Sequence, residues 1–190
     1  MYFIFESSYD ELQEEADVAQ AVDLPESFHE FVWNRLWRAE PIGPDFPALA
    51  FSVNPTTHLL DNHVTDTGDG IYSERLIQLL KETGVKHEAF PVKVVNRATG
   101  EVLRVKYYWF HLLEQADAFD RSKSNITPSG KVKGLKISKL FDVANLPIFR
   151  DANLPQIVLV RDSLRQLLDK SGITGCSYLD IESYGKQKRA

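Results

Sequence analysis

Two similar stretches organise this chain: SERLIQLLKETGV at residues 73–85 and RDSLRQLLDKSGI at residues 161–173. They lie 88 residues apart, and Leu, Gln, Leu, Leu and Gly occupy the same positions in both. Each has an acidic residue at its second position, which suits the positive end of a helix dipole, and a glycine that can close a helix. The leucines recur at helical spacing, so each stretch predicts a short amphipathic helix that packs by its leucine face. These leucines are Leu76, Leu79 and Leu80 in the first stretch and Leu164, Leu167 and Leu168 in the second.

The rest of the chain predicts mostly β-strands. Short runs rich in aromatic and β-branched residues lie at 2–5, 48–53, 157–160 and 175–181. The clearest hairpin combines residues 90–95, a turn at 96–100 and a second strand at 101–110. In that second strand Leu103, Val105, Tyr107 and Trp109 alternate with polar residues, which predicts one face in the core and one face partly exposed to solvent.

These elements predict an α+β fold, a mainly antiparallel sheet with a few short amphipathic helices. A length of 190 residues suits one core and is short for two domains, so residues 1–190 are expected to form a single domain. Composition is that of an ordinary globular protein, with 43% apolar and 26% charged residues. The start of the chain lacks the basic region of a secretory signal, and no apolar run is long enough to cross a membrane. With one cysteine, Cys176, no internal disulfide can form, and we expect a cytoplasmic protein without a membrane partner.

The charge is distributed unevenly along the chain. Residues 1–50 contain eleven acidic and two basic residues, a net charge of −9, whereas the whole chain has −5. Residues 51–190 therefore carry +4, and residues 121–139 contain six basic residues and no acidic one. Residues 185–190 are expected to form a frayed basic tail. The uneven charge either steers a charged partner or marks regions that face each other or the solvent.

A metal site is considered at His58, Asp61 and His63, with Asp66 and Asp69 close behind. Zinc sites use such groups but need further convergent ligands and supporting neighbours. Since the chain contains no HExxH motif, cysteine pair or calcium-binding loop, we interpret this stretch as a polar loop and expect no metal.

Enzymatic motifs are also missing from the sequence. Cys176 has no cysteine-protease signature around it, and there is no Gly-x-Ser-x-Gly elbow. The glycines are too scattered for a phosphate-binding loop. We therefore predict that the protein is not an enzyme, and we assign no catalytic or cofactor-binding residues and no cofactor.

Nucleic-acid binding has one argument in its favour, the basic run at residues 121–139 with aromatic residues at 107–110. These aromatic residues alternate as core residues do, and the isoelectric point of the chain is acidic, about 5.6. We therefore expect no nucleic-acid partner.

Several motifs, in their order and spacing, resemble a bacterial immunity-protein family. That family was first catalogued as a domain of unknown function and later placed in polymorphic toxin systems as the eleventh-numbered immunity family. The resemblance covers about two thirds of the chain, a family-like core at residues 51–180. The motifs are Ile71-Tyr72-Ser73-Glu74-Arg75-Leu76 with Leu79-Leu80, Tyr107-Tyr108, then Asp117, Asp120 and Ser124, then Ile148-Phe149-Arg150, and residues 157–168 running into Gly172-Ile173-Thr174-Gly175. The second helix departs from the pattern, because Arg161-Asp162-Ser163 stands where Ser-Glu is expected before a basic residue.

The resemblance implies a cytoplasmic, non-enzymatic protein that binds and neutralises a cognate toxin by occlusion. It supplies no catalytic residues. Since the acidic residues 1–50 lie outside the family-like core, we expect them to recognise the partner, and we name Glu11, Glu14, Glu15 and Asp17 as candidate partner-binding residues. The alternatives are a small enzyme or ligand-binding protein of unknown substrate, and a structural protein with a large interface between copies. A monomer and a homodimer are both compatible with the sequence.

Overall fold

The protein has an α+β fold in which sheets dominate. The computed structural model describes residues 1–8, 18–26, 28, 35, 38–54, 56, 58–67, 70–127, 132–138, 141 and 145–184. These described residues form thirteen strands, two α-helices and one short 3-10 helix at Gly43–Asp45. The helices are α1 (Glu74–Glu82) and α2 (Asp162–Lys170). The strands are β1 (Tyr2–Ser7), β2 (Gln20–Val22), β3 (Leu49–Val53), β4 (Asn62–Val64), β5 (Gly70–Ser73), β6 (His87–Asn96), β7 (Tyr107–Leu112), β8 (Gln115–Ala116), β9 (Asn125–Ile126), β10 (Val132–Gly134), β11 (Ile148–Asp151), β12 (Val158–Arg161) and β13 (Cys176–Leu179).

The two repeated stretches both form the expected helices. Ser73 caps α1, since its hydroxyl accepts a hydrogen bond from the backbone N–H of Leu76 at 3.2 Å. The corresponding residue of α2 is Arg161, whose side chain makes no such bond. Both helices end in the same way, with Gly84 and Gly172 at positive φ and the next residue donating back to the last turn. This is the Schellman arrangement, so the repeated glycines are explained by helix termination.

Both helices pack into one apolar cluster that also receives side chains from both large sheets, here called the helix cluster. Leu76 and Leu80 of α1 and Leu164 and Leu168 of α2 are buried there. The other buried members of the helix cluster are Phe5, Tyr72, Ile77, Val85, Phe110, Leu112, Ile148 and Val160. The prediction that all the leucines pack inward is wrong for Leu167, which is 36% exposed because it lies at the rim of the apolar face of α2.

The six-stranded sheet has the order β2-β3-β6-β7-β5-β4 and closes on itself. Ala19, just before β2, forms a parallel bridge with Thr65, just after β4. The bridge consists of hydrogen bonds from Ala19 N to Val64 O at 3.0 Å and from Asp66 N to Ala19 O at 2.9 Å. The sheet is therefore a small barrel, and its interior is filled by side chains such as Phe28, Phe51 and Trp109.

The five-stranded sheet has the order β13-β1-β12-β11-β8, with β1 hydrogen-bonded on both sides. Alternate side chains of this sheet point to opposite faces. Phe5 and Val160 join the helix cluster, whereas Ile4 and Leu159 face a second cluster that includes Phe119, Leu135 and Phe141. Strands β9 and β10 form a separate two-stranded sheet.

The predicted hairpin forms, but its second strand starts later and is buried on both faces. Strand β7 begins at Tyr107, and the preceding Val105 is 39% exposed, so the predicted strand at 101–110 is wrong in its first half. Tyr107 and Trp109 point into the barrel, as alternation predicts. Phe110 is buried in the helix cluster, so this face of β7 is covered by the helices instead of being half exposed.

Candidate functional site

The acidic residues Glu11, Glu14, Glu15 and Asp17, expected to bind a partner, lie outside the described residues, as does the basic tail at 185–190. Strand β1 precedes these four residues and strand β2 follows them. The chain segment that carries them is thus flanked by a strand of the five-stranded sheet and a strand of the barrel.

The residues considered as metal ligands do not converge. His58 is exposed, whereas His63 on β4 is fully buried and its Nδ1 accepts a hydrogen bond from Leu60 N at 3.3 Å. The carboxylate of Asp61 accepts a hydrogen bond from Thr174 N, and Asp69 lies outside the described residues. Over the part of the chain that the structure describes, no group of three His, Cys, Asp or Glu side chains could hold a metal ion.

Asp61 instead joins the two helix-containing stretches. Its carboxylate accepts hydrogen bonds from the hydroxyl of Ser73, the cap of α1, and from the backbone N–H of Thr174 at 3.1 Å. The guanidinium of Arg75 lies 3.6 Å from the same carboxylate and also donates to the carbonyl of Ser171, the residue that ends α2. One acidic side chain therefore ties the start of α1 to the end of α2.

The chain after α2 approaches the barrel closely at Gly175. A Cβ on this residue, whose φ is +77°, would lie 2.2 Å from the carbonyl oxygen of Asn62 on β4. The backbone N–H of Asn62 donates to Thr174 O at 3.0 Å, and that of Ser8 donates to Gly175 O at 2.9 Å. Glycine is required here because the backbones of the barrel and the five-stranded sheet meet without space for a side chain.

A buried histidine holds the segment before β3 against the barrel. His111 lies on the same face of β7 as Tyr107 and Trp109, and its Nε2 donates to Glu40 O at 2.9 Å. Burial lowers the pKa of His111, and the charge of Arg150 lowers it further, while the bond to Glu40 and the carboxylate of Glu88 act in the opposite direction. The histidine is therefore neutral at pH 7.

The basic run at 121–139 is partly neutralised within the protein. Lys123 pairs with Asp120 at 2.6 Å, and Lys136 pairs with Glu182. Lys131 and Lys139 lie outside the described residues. The nearby aromatic residues Tyr107, Trp109 and Phe110 are buried, so they are not available to stack on nucleic-acid bases.

Of the three motif residues Asp117, Asp120 and Ser124, two line one concavity, here called the Asp117 pocket. It has a volume of about 370 Å³, at the lower end of the range for ligand pockets. Asp117 and Ser124 line it directly, and Asp120 shapes the adjoining turn. The lining residues are Asp117, Phe119, Arg121, Ser124, Ile126, Thr127, Asp151, Asn153 and Leu154.

Hydrogen bonds fix the turn that forms one wall of this pocket. Asp120 accepts from the hydroxyl and the backbone N–H of Ser122 at 2.6 and 3.1 Å and pairs with Lys123. The bonds from Lys123 and Ser122 lower the pKa of Asp120 to about 2, so its carboxylate stays ionised. Ser124 Oγ accepts from Lys136 N at 3.0 Å, which ties the turn to the segment after β10. The wall is therefore held in place before any ligand binds.

The sequence patterns did not predict which residues form the opposite wall of the Asp117 pocket. Asp151 ends β11 and Asn153 lies in the turn that follows, a stretch that the sequence shows only as Asp-Ala-Asn-Leu-Pro. The pairing of β8 with β11 is parallel and brings Ala116 opposite Asp151. The sequence does show an aspartate, Asp151, at the start of a run of turn residues. It does not show that strand β11, which Asp151 ends, pairs with β8 and so brings this residue beside Asp117.

Cys176, the single cysteine, lies at the start of β13. It is half-buried, with its Sγ 4.0 Å from the carbonyl oxygen of Thr174. Tyr178 lies two residues later on the same strand, and burial raises the pKa of its phenol, which therefore stays protonated.

Comparison with known proteins identifies the chain's family. No curated protein matches the chain. None of the described helices is both long and apolar enough to cross a membrane. A model of the immunity protein family Imm11 matches residues 29–183. This match begins before residue 51, where the family-like core predicted from the sequence motifs begins. Since this match spans most of the 190 residues and includes the paired helices and the Asp117 pocket, the chain belongs to the Imm11 immunity protein family.

Proposed function

We propose that this protein is a non-enzymatic immunity protein that binds a cognate bacterial toxin in the cytoplasm and neutralises it by covering its active surface. The observation that carries this proposal is the family match over residues 29–183. Occlusion requires a stable, preformed surface and no reacting groups. The fixed turns around the Asp117 pocket and the closed barrel provide such a scaffold.

The uneven charge suggests where the toxin binds. Residues 1–50 carry a net charge of −9, and Glu11, Glu14, Glu15 and Asp17 form their densest acidic run. Complementary charge accelerates association and penalises wrong partners, so an acidic surface suits a basic toxin surface such as a nuclease cleft. We assign these four residues to the toxin interface.

The test is charge reversal of all four residues to lysine, with the toxin taken from the gene next to that of this protein. The matched control reverses four exposed acidic residues elsewhere, Asp45, Glu82, Glu101 and Asp180, which changes the net charge by the same amount. We expect the four-residue variant at 11, 14, 15 and 17 to bind the toxin at least roughly tenfold more weakly at low salt, with a smaller effect at high salt. The control should bind nearly as well as the unmodified protein.

Two results would count against this proposal, and they have different meanings. If both reversed variants bind the toxin as well as the unmodified protein does, the acidic run is not the toxin interface. If the unmodified protein neither binds the neighbouring toxin nor restores growth of cells that produce it, toxin neutralisation itself is wrong for this pair of genes.

A further inference from the structure

The wall of the Asp117 pocket that includes Asp151 contains a carboxylate that is almost completely removed from water. Asp151 is 1% exposed, and its oxygens accept hydrogen bonds from Ala118 N at 3.0 Å, Asn153 N at 2.9 Å and Leu154 N at 2.8 Å. Within the described residues it forms no ion pair. Three backbone donors hold this carboxylate in a fixed position in the lining of the pocket.

The rim of the pocket contains hydrogen-bond acceptors from Asp117 and Asn153. Asp117 Oδ1 accepts from Asn153 Nδ2 at 2.9 Å, which fixes both side chains. Asp117 Oδ2 and Asn153 Oδ1 have no hydrogen-bond donor among the described residues, and both residues are exposed. Among the described lining residues, Arg121 is the single cationic side chain and Asp117 and Asp151 are the two acidic ones, so these described side chains sum to a negative charge.

Apolar side chains complete the pocket. Phe119 and Leu154 are buried beneath it, and the partly buried Ile126 lies at its side. A lysine or arginine side chain has an aliphatic stem and a charged end. The stem can pack against the apolar residues of the pocket, and the charged end can donate hydrogen bonds to the carboxylate and amide oxygens at its rim. A purely apolar ligand would leave Asp117 Oδ2 facing it without a hydrogen-bond donor.

We propose that the Asp117 pocket receives a lysine or arginine side chain of the bound toxin. The stem lies against Phe119, Ile126 and Leu154, and the cationic end donates hydrogen bonds to Asp117 Oδ2 and Asn153 Oδ1. The exposed guanidinium of Arg121 donates to a carbonyl or carboxylate of the toxin next to the inserted residue. This assignment rests on the proposed function for the identity of the partner, but the chemistry of the pocket can be tested separately.

The pocket is tested with a small probe that does not involve the toxin. The ¹⁵N-labelled full chain is titrated with Nα-acetyl-L-arginine methylamide and, in parallel, with its neutral citrulline analogue. We expect saturable NMR shifts at Ala118 N, Leu154 N and the Asn153 side-chain amide with the arginine probe alone. Asp117→Asn should weaken this binding roughly tenfold, because it removes the charge of one hydrogen-bond acceptor, while the remote, exposed Asp45→Asn should leave it unchanged. Equal shifts with the citrulline probe, or equal binding by Asp117→Asn, would overturn the proposal.

The same variants are then measured against the toxin. We expect Asp117→Asn to weaken toxin binding by roughly tenfold and Asp45→Asn to leave it unchanged. If Asp117→Asn loses the probe but binds the toxin normally, the assignment of the pocket to the toxin interface is wrong. If the unmodified protein does not bind the toxin at all, the proposed function fails, whereas the probe titration still decides whether the pocket takes a basic side chain.

Discussion

Two polar side chains, the partly buried Asp61 and the fully buried His111, each hold together segments that are far apart in the sequence. Asp61 bonds to Thr174, 113 residues later, and His111 bonds to Glu40, 71 residues earlier. Local sequence shows Asp61 only as part of a polar loop. The hydrogen bonds by which Asp61 connects α1 to the end of α2 could not be predicted, since they depend on which distant backbone groups the fold brings beside this residue.

His111 should make the stability of the protein depend on pH. Burial lowers the pKa of His111, so between this pKa and about 6.5 the unfolded chain binds a proton that the folded chain does not. The free energy of unfolding should therefore fall as the pH decreases below about 6.5. The measurement is urea unfolding between pH 7.5 and 5.5, in which His111→Gln should flatten this dependence and the exposed His58→Gln should preserve it. An unchanged slope in His111→Gln would show that another group is responsible.

Helices α1 and α2 show which elements could be predicted from local sequence. Their positions in the chain and their closing glycines follow from residue types at fixed positions, and both were confirmed. The exposure of Leu167 was not foreseen, because helical spacing indicates a face but not how far the neighbouring sheet covers it. The late start of β7 was not foreseen either, because the alternation continues through residues 104–106, where the regular pairing with β6 is interrupted between the pair Val92–Tyr107 and the bridge Val95–Val102.

Adjacent leucines of α2 allow a matched test of this packing. Leu168 is fully buried in the helix cluster, so Leu168→Ala should lower the free energy of unfolding by about 2–5 kcal/mol. Leu167→Ala removes the same atoms from a 36% exposed position and should cost less than about 1 kcal/mol. The measurement is chemical denaturation followed by circular dichroism. Equal losses for the two variants would contradict the burial of α2 described here.

At the scale of the whole molecule, the sequence predicts the fold class but not the closure of the barrel. Hairpins such as β6–β7 follow from neighbouring strands and a turn. The parallel pairing of β3 with β6 and the bridge between Ala19 and Thr65 join segments with no local signal. The Asp117 pocket has the same origin, because its walls are brought together by the parallel pairing of β8 with β11. Its chemistry was visible in single residues, whereas its geometry was not.

The shared helix cluster predicts that the protein unfolds as one unit. Both large sheets and both helices contribute to this cluster, so loss of either sheet exposes apolar side chains of the other. Reactivity of the single thiol, Cys176 on β13, reports on the five-stranded sheet, and tryptophan fluorescence includes Trp109 inside the barrel. The two signals should have the same urea midpoint. Separate midpoints would indicate two independently unfolding parts.

The closed barrel has a practical consequence for anyone who shortens this protein. The family match begins at residue 29, after β1 and β2. A truncated chain that starts there loses the strand between β12 and β13 and the strand that closes the barrel, which leaves several strand edges unpaired. Unpaired edges recruit other chains, so such a fragment is expected to aggregate during expression. We therefore expect the folding unit to include residues that precede the family match.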